Sequence, residues 1–311
     1  MSPLPAIEDF LHQAQLKSLN RQKTRFPTTP ISARETLSTV TNRYVPAFTP
    51  FPQAVECTAS GYCFNVSVRV YHPNPEQALP VAVYAHGGSP VTGSVVVYDN
   101  ICRQLAYYTN HIIIAPEFRL APEARYPAAL EDVYTAVKQS EQILNQLEIS
   151  YLPQLSVIGE GAGGALIATV VQQLQHERDT PLYRQVLIYP ALDYTLAMPS
   201  VSQNSGYFWM GAETIKQHYD DYFHPADNRY NASPLYGVIT PEVPDSLVIT
   251  ASYCPFRDEG IAYADRLTLT GVTTEKVQCA QLIHGFLNLQ SLVPDQCNKV
   301  YRTISRFLNQ P

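Results

Sequence analysis

The residues from Val157 to Gly164 read Val-Ile-Gly-Glu-Gly-Ala-Gly-Gly, the spacing of a strand-to-helix turn of the form Gly-x-Ser-x-Gly with its serine missing. In such a turn the flanking glycines, here Gly159 and Gly163, permit close backbone approach, and a central hydroxyl is presented to a carbonyl carbon. Gly161 holds the centre and carries no oxygen, so acyl transfer through this position lacks its nucleophile. The backbone of the turn keeps a second kind of chemistry. N–H groups at the start of a helix near Ala162, with the helix dipole behind them, attract an anion or a developing oxyanion.

Elements able to hold this turn follow from the apolar runs on either side. Strands are expected at about 80–85, 111–115, 155–160, 185–189, 246–251 and 275–280. Between them, helices are expected at about 94–109, 127–145, 162–177 and 258–270, with a last one at 294–308. Two earlier strands, near 54–58 and 62–71, read as a hairpin. This alternation implies an α/β chain: a mostly parallel sheet with helices on both faces. The run Ile7-Glu-Asp-Phe-Leu-His-Gln-Ala-Gln-Leu16 has helical periodicity, and the stretch 194–240 is rich in aromatic and polar residues.

Further motifs stand in a fixed order along the chain. They are Tyr84-Ala-His86-Gly87-Gly88-Ser89 followed by Gly93-Ser94, Glu117-Phe-Arg119-Leu-Ala-Pro-Glu123, and Tyr126-Pro-Ala-Ala-Leu-Glu131-Asp132. Ile188-Tyr-Pro190-Ala-Leu-Asp193, Arg257-Asp258-Glu259-Gly260 and Ile283-His284-Gly285-Phe286 complete the series. In this the chain resembles the hormone-sensitive-lipase-like, acetyl-esterase-like family of α/β-hydrolases. The resemblance implies one domain over 1–311, with a helical cap formed by about 1–45 and 194–240. Ser205-Gly-Tyr-Phe-Trp-Met210 and His218-Tyr219-Asp-Asp-Tyr222-Phe223 would then roof the pocket.

Carried over residue by residue, the family's Ser-Asp-His order falls on Gly161, Cys254 and His284, so the nucleophile and acid positions are both degenerate. The family's oxyanion donors fall on the backbone N–H groups of Gly88, Ser89 and Ala162. A neutral Cys254 orients and charges an imidazole poorly, and its loop lies on the far side of the ring from substrate. Ser89 and Ser94 are the nearest hydroxyls by motif position, and neither sits on a nucleophile turn. Glu160, one residue before the turn, reads as a structural carboxylate at the strand end. Arg119, Glu123, Asp132 and Asp193 read as polar networks that hold the loops beneath the site.

Composition narrows the partners. Of 311 residues 45% are hydrophobic and 15% charged, and the net charge is -6, with no basic patch for a phosphate backbone. No apolar run approaches a membrane span and the start has no signal-peptide pattern, so a cytoplasmic location is expected. The six cysteines make no metal-ligand spacing and are expected as free thiols, a local Cys57–Cys63 pair being left open. No cofactor and no metal are expected, nor is a nucleic-acid partner; a homo-oligomer is left open. Three functions compete: a protein without normal carboxylesterase activity that binds a small acyl or carboxylate ligand, a weak or altered ester hydrolase using His284 and the oxyanion hole, and a structural or interaction protein. Plant gibberellin receptors, which resemble the same family, bind hormone in a degenerate site of this kind.

Overall fold

A computed structural model describes residues 2–23, 29–61, 64–207 and 212–311. The chain begins with α1 (Pro5–Lys23) and α2 (Pro30–Tyr44), followed by the hairpin strands β1 (Gln53–Ala59) and β2 (Val66–His72). Then come β3 (Leu79–Ala85), α3 (Asp99–Thr109), β4 (Ile112–Pro116), α4 (Ala128–Lys138) and α5 (Ser140–Gln146). The centre is β5 (Tyr151–Glu160), α6 (Ala162–Leu174) and β6 (Leu182–Ile188). After it stand the short α7 (Pro199–Gln203), α8 (Ala212–Tyr222) and α9 (Arg229–Ala232). The closing elements are β7 (Asp245–Tyr253), α10 (Arg257–Thr270), β8 (Thr274–Ile283) and α11 (Pro294–Leu308).

The strands form one eight-stranded sheet in the order β1-β2-β4-β3-β5-β6-β7-β8. The pairs β1/β2 and β2/β4 are antiparallel, and every other neighbour is parallel. Burial follows from sequence. The interior strand β4 is apolar at Ile112, Ile113, Ile114 and Ala115 and buried throughout, because helices cover both faces of a parallel sheet. The edge strand β1 alternates half-buried and exposed positions, as a strand with one wet face must. Along α11, Cys297, Val300, Tyr301, Ile304, Phe307 and Leu308 recur at helical spacing and are buried.

Two expected helices differ in extent. Residues 95–98 are turns and α3 starts only at Asp99, because Val95 N–H is given to Glu117 Oε2 at 2.8 Å and Val97 N–H to Ser94 Oγ at 3.1 Å. The helix expected over 127–145 is interrupted at Gln139, with φ -103 and ψ 11, whose amide side chain clasps the backbone of Ser60 beyond β1. Neither tertiary bond is visible in local periodicity.

Phe208, Trp209 and Met210, part of the expected roof, lie outside the described residues, as does Cys63 of the local pair left open above. Cys57, Cys102, Cys254, Cys279 and Cys297 are free thiols. Among the described residues no helix is long and apolar enough to cross a membrane. The N-terminal segment touches the 194–240 stretch where Gln15 Nε2 donates to Gly206 O at 3.3 Å, and it meets the sheet where Leu4 N–H donates to Gln281 O at 3.1 Å.

Candidate active site

The loops that follow β3, β5, β6, β7 and β8 meet at the carboxyl ends of these parallel strands, the place where open α/β sheets hold their ligands. At its centre β5 stops at Glu160 and α6 starts at Ala162, with Gly161 alone making the turn at φ 53 and ψ -115. Gly161 N–H donates to Ile188 O at 3.0 Å, and its carbonyl accepts from Ala191 at 3.0 Å and Gly164 at 3.1 Å, so β6 fixes the turn from one side. From the other side Gly163 closes it: a Cβ there would come 2.2 Å from Ala85 O and 2.4 Å from His86 O, which ties the helix start to the end of β3.

His284, immediately after β8, faces this turn. A Cβ on Gly161 would lie 3.4 Å from His284 Nε2 and 3.5 Å from its Cε1, ordinary contact distances. The opposite ring nitrogen, Nδ1, is 3.2 Å from Cys254 Sγ, and that sulfur also accepts the Phe256 N–H at 3.3 Å. Tyr189 and Phe256 pack edge-on against the imidazole, each with ring centroids 5.0 Å away. Gly161, His284 and Cys254 therefore stand in line, with the sulfur behind the ring and away from Gly161. Burial pulls the imidazole down to a pKa of about 3 and pushes the Cys254 thiol well above its ordinary value. At neutral pH the two form an uncharged thiol–imidazole pair.

The expected backbone donors divide. Among the described residues no hydrogen bond occupies the N–H of Gly88 or Ala162. Ser89 departs from expectation: its N–H is turned onto Thr92 O at 3.4 Å, and its Oγ bonds Thr92 Oγ1 and accepts from Val91 N–H, both at 3.1 Å. A tight turn over Ser89-Pro-Val-Thr92 uses the N–H that motif position assigns to an oxyanion. Beside Gly88 and Ala162 is a cavity of about 20 Å³, room for about one water molecule. Ile215, His218 and Tyr219 of α8 form one wall, and Ser89, Pro90, Ala191 and Phe256 the rest.

Glu160 takes the structural place expected of it. It is fully buried, accepts from Tyr84 OH at 2.7 Å and Tyr189 OH at 2.8 Å, and burial raises its pKa to about 7. Asp132 clasps Arg119 through bonds of 2.8 to 3.1 Å, and Asp193 collects Thr195, Ala197 and Tyr236. Glu123 instead lies at the surface, paired with Arg34 of α2. Arg34 was not singled out by sequence, although its Nε donates to Val91 O at 2.8 Å and its Nη2 to Ala121 O at 2.9 Å. Nothing in the local pattern around Arg34 signals this. His86 is buried against Phe118, ring centroids 4.1 Å apart, with Nδ1 2.8 Å from Gly87 O. Among the described residues no cluster of three or more His, Cys, Asp or Glu side chains is arranged to hold a metal ion.

Residues 82–288 match the family model described as alpha/beta hydrolase fold. The chain is 30% identical over 251 residues to the esterase LipI of Mycobacterium tuberculosis, covering 79% of this chain and 78% of that protein. It is 31% identical over 237 residues to an ethyl acetate hydrolase of Pseudomonas putida, covering 74% of each. Among solved structures an esterase of Pyrobaculum calidifontis superposes with a TM-score of 0.86 at 29% identity, covering 98% of both chains. An ester hydrolase from a Lake Arreo metagenome superposes with a TM-score of 0.89 at 27% identity, covering 99% of this chain and 98% of that one. Matching sequence, sheet order and strand-end site agree: the chain belongs to the α/β-hydrolases, in their hormone-sensitive-lipase-like carboxylesterase family.

Proposed function

We propose that this chain is a member of an esterase family that has lost serine-esterase chemistry and uses the old active-site pocket to bind a small acyl or carboxylate ligand. The observation that carries the reading is Gly161, which occupies the turn opposite His284 Nε2 and offers no hydroxyl there. Among the described residues no neighbour takes over the role. The Ser89 hydroxyl is committed to its own turn, Ser94 Oγ accepts from Val97 N–H, and Cys254 lies on the wrong ring nitrogen as a protonated thiol. In this reading Gly161, Cys254 and His284 are inherited positions, Gly88 and Ala162 still donate to a ligand oxygen, and α1, α2 and the 194–240 segment act as its cap.

The relatives' activity favours a second reading, in which His284 activates a water against the remaining donors. An imidazole with a pKa of about 3 is a feeble base at neutral pH, which argues for traces only. Binding and an oxyanion hole without a triad still give about 10³–10⁴-fold over water, far below working enzymes. Turnover of p-nitrophenyl acetate and butyrate tests the choice. The expected result is trace hydrolysis and no fluorophosphonate label; a kcat within about 1–10³ s⁻¹, or a labelled serine, overturns the proposal.

A further inference from the structure

The cavity beside Gly161 holds about 20 Å³, room for about one water molecule, so a larger guest enters only if part of the wall moves. Most of that wall belongs to the loops after β3, β6 and β7 and to the start of α6, all tied to the sheet. The remainder is Ile215, His218 and Tyr219 of α8, a helix of the 194–240 stretch. The C-terminal end of α8 is firmly tied. Arg125 Nη1 donates to Phe223 O at 2.5 Å and to Asp220 O at 3.3 Å, and Tyr126 N–H donates to Tyr222 O at 2.8 Å. Phe223, which follows the helix, packs against Tyr126 and Tyr194 with ring centroids 5.1 and 5.0 Å away.

Nearer the cavity the burial of α8 leaves polar groups unjoined. The Tyr219 hydroxyl is buried and among the described residues has no hydrogen-bond partner, although its ring packs edge-on against Tyr194 at 5.2 Å. Glu259, Tyr194 and Asp193 are near enough to act on it through space, and Glu259 Oε2 is itself buried and unpartnered. We propose that α8 is a lid hinged at its C-terminal end, and that the Tyr219 hydroxyl, buried without a hydrogen-bond partner, biases the lid towards opening. A hydroxyl closed in this way gives up its bonds to water and gains none, whereas an open lid returns it to water. Apolar burial of Ile215 and of the Tyr219 ring favours the closed state, and the hydroxyl offsets part of that gain, which keeps the open state populated. Tyr222 supplies a comparison within the same helix. Its hydroxyl is also buried and unpartnered, yet it stands at the tied end, where lid movement leaves it in place. Access to the cavity is thus set on α8, for the ligand proposed above as for any other guest.

Native-state amide hydrogen exchange of the intact chain is the test. A helix of 11 residues lifted off its support frays, so each opening exposes its amides. In the unaltered chain the amides of Gln217 and His218 are expected to exchange faster than those of Ile113 and Ile114 in β4, which open only with the whole fold. Tyr219→Phe deletes the lone hydroxyl and keeps the ring, and is expected to slow Gln217 and His218 about tenfold. Tyr222→Phe is expected to leave them within about twofold of the parent. Equal rates for α8 and β4 in the unaltered chain overturn the lid, and need no variant to be seen. Exchange in Tyr219→Phe at the parent rate or faster, up to failure to fold, would mean that the hydroxyl finds a partner in the closed state, and overturns the bias. Equal slowing by both substitutions overturns the hinge. Each of these results leaves the ligand-binding reading standing, since that is decided by turnover and labelling.

Discussion

Gly161 combines a steric vacancy with a backbone that other residues resist. A Cβ there meets His284 only at contact distance, so space does not exclude a side chain, whereas φ 53 with ψ -115 lies outside the left-handed helical basin that non-glycine residues tolerate. Gly161→Ser is therefore expected to fold and to lose about 1–3 kcal/mol, read as a lower urea midpoint at unchanged slope. An unchanged midpoint would mean that the turn is unstrained. The new hydroxyl stands beside His284 Nε2, but the thiol at Nδ1 cannot stabilise an imidazolium, so esterase activity is expected to stay at trace level. Adding Cys254→Asp puts a carboxylate where Phe256 N–H already donates and is expected to raise kcat on p-nitrophenyl acetate beyond the product of the single effects, towards the roughly 10⁴ that an acid is worth in a triad. A folded double variant that stays inert would show that the pocket, and not only the chemistry, has changed. At this scale motif spacing is the most legible signal: Gly161, Cys254 and His284 lie far apart in sequence and beside one another in the fold. Ser89 is less legible, because its N–H meets a turn partner, Thr92, that motif position does not reveal.

The turn that misdirects Ser89 belongs to a larger arrangement of elements. Ala121 N–H donates to Pro90 O at 2.9 Å, and Arg34 reaches from α2 to the carbonyls of both Val91 and Ala121, so one helix pins the loops after β3 and β4 together. Its ion pair with Glu123 is mostly in water, with side-chain exposures of 31% and 63%, and such pairs contribute about 0–1 kcal/mol. The bonds to loop carbonyls are the larger part, about 1 kcal/mol each. Arg34→Met is thus expected to cost about 2 kcal/mol and to speed amide exchange at Val91 and Thr92, whereas Glu123→Gln costs under about 1 kcal/mol and leaves exchange alone. Equal losses would assign the anchor to the ion pair. Strand positions were readable because burial on both faces demands continuous apolar runs such as Ile112-Ile-Ile-Ala115. Helix limits at Asp99 and Gln139, and the reach of Arg34, were not, since each depends on a partner distant in sequence.

Across the whole molecule the buried ionisable groups give opposite pH slopes. His86, His111 and His218 are held near a pKa of about 4 and His284 near about 3, against an ordinary 6.5, so the unfolded chain binds protons that the fold refuses. Their contribution is fully present above about pH 6.5 and is lost as the pH falls towards 4, which predicts acid unfolding in that window. Glu160 works the other way. With a folded pKa of about 7 against an ordinary 4.5, it keeps a proton that the unfolded chain releases, so its burial costs nothing below about 4.5 and progressively more up to about 7. The integrated cost is of order 3 kcal/mol. Glu160→Gln loses one acceptor for the Tyr84 and Tyr189 hydroxyls at every pH, a constant offset, and removes the titration. Urea unfolding at about pH 5 and pH 8 separates the two effects. The difference in stability between variant and parent is expected to move in favour of the variant by about 3 kcal/mol on going to the higher pH, while both chains lose stability at the lower one through the histidines. A difference that does not change with pH would mean that Glu160 is ionised throughout, its charge held by Tyr84 and Tyr189, and the carboxylate behind Gly161 would then be a permanent negative centre repelling any anion brought to the pocket.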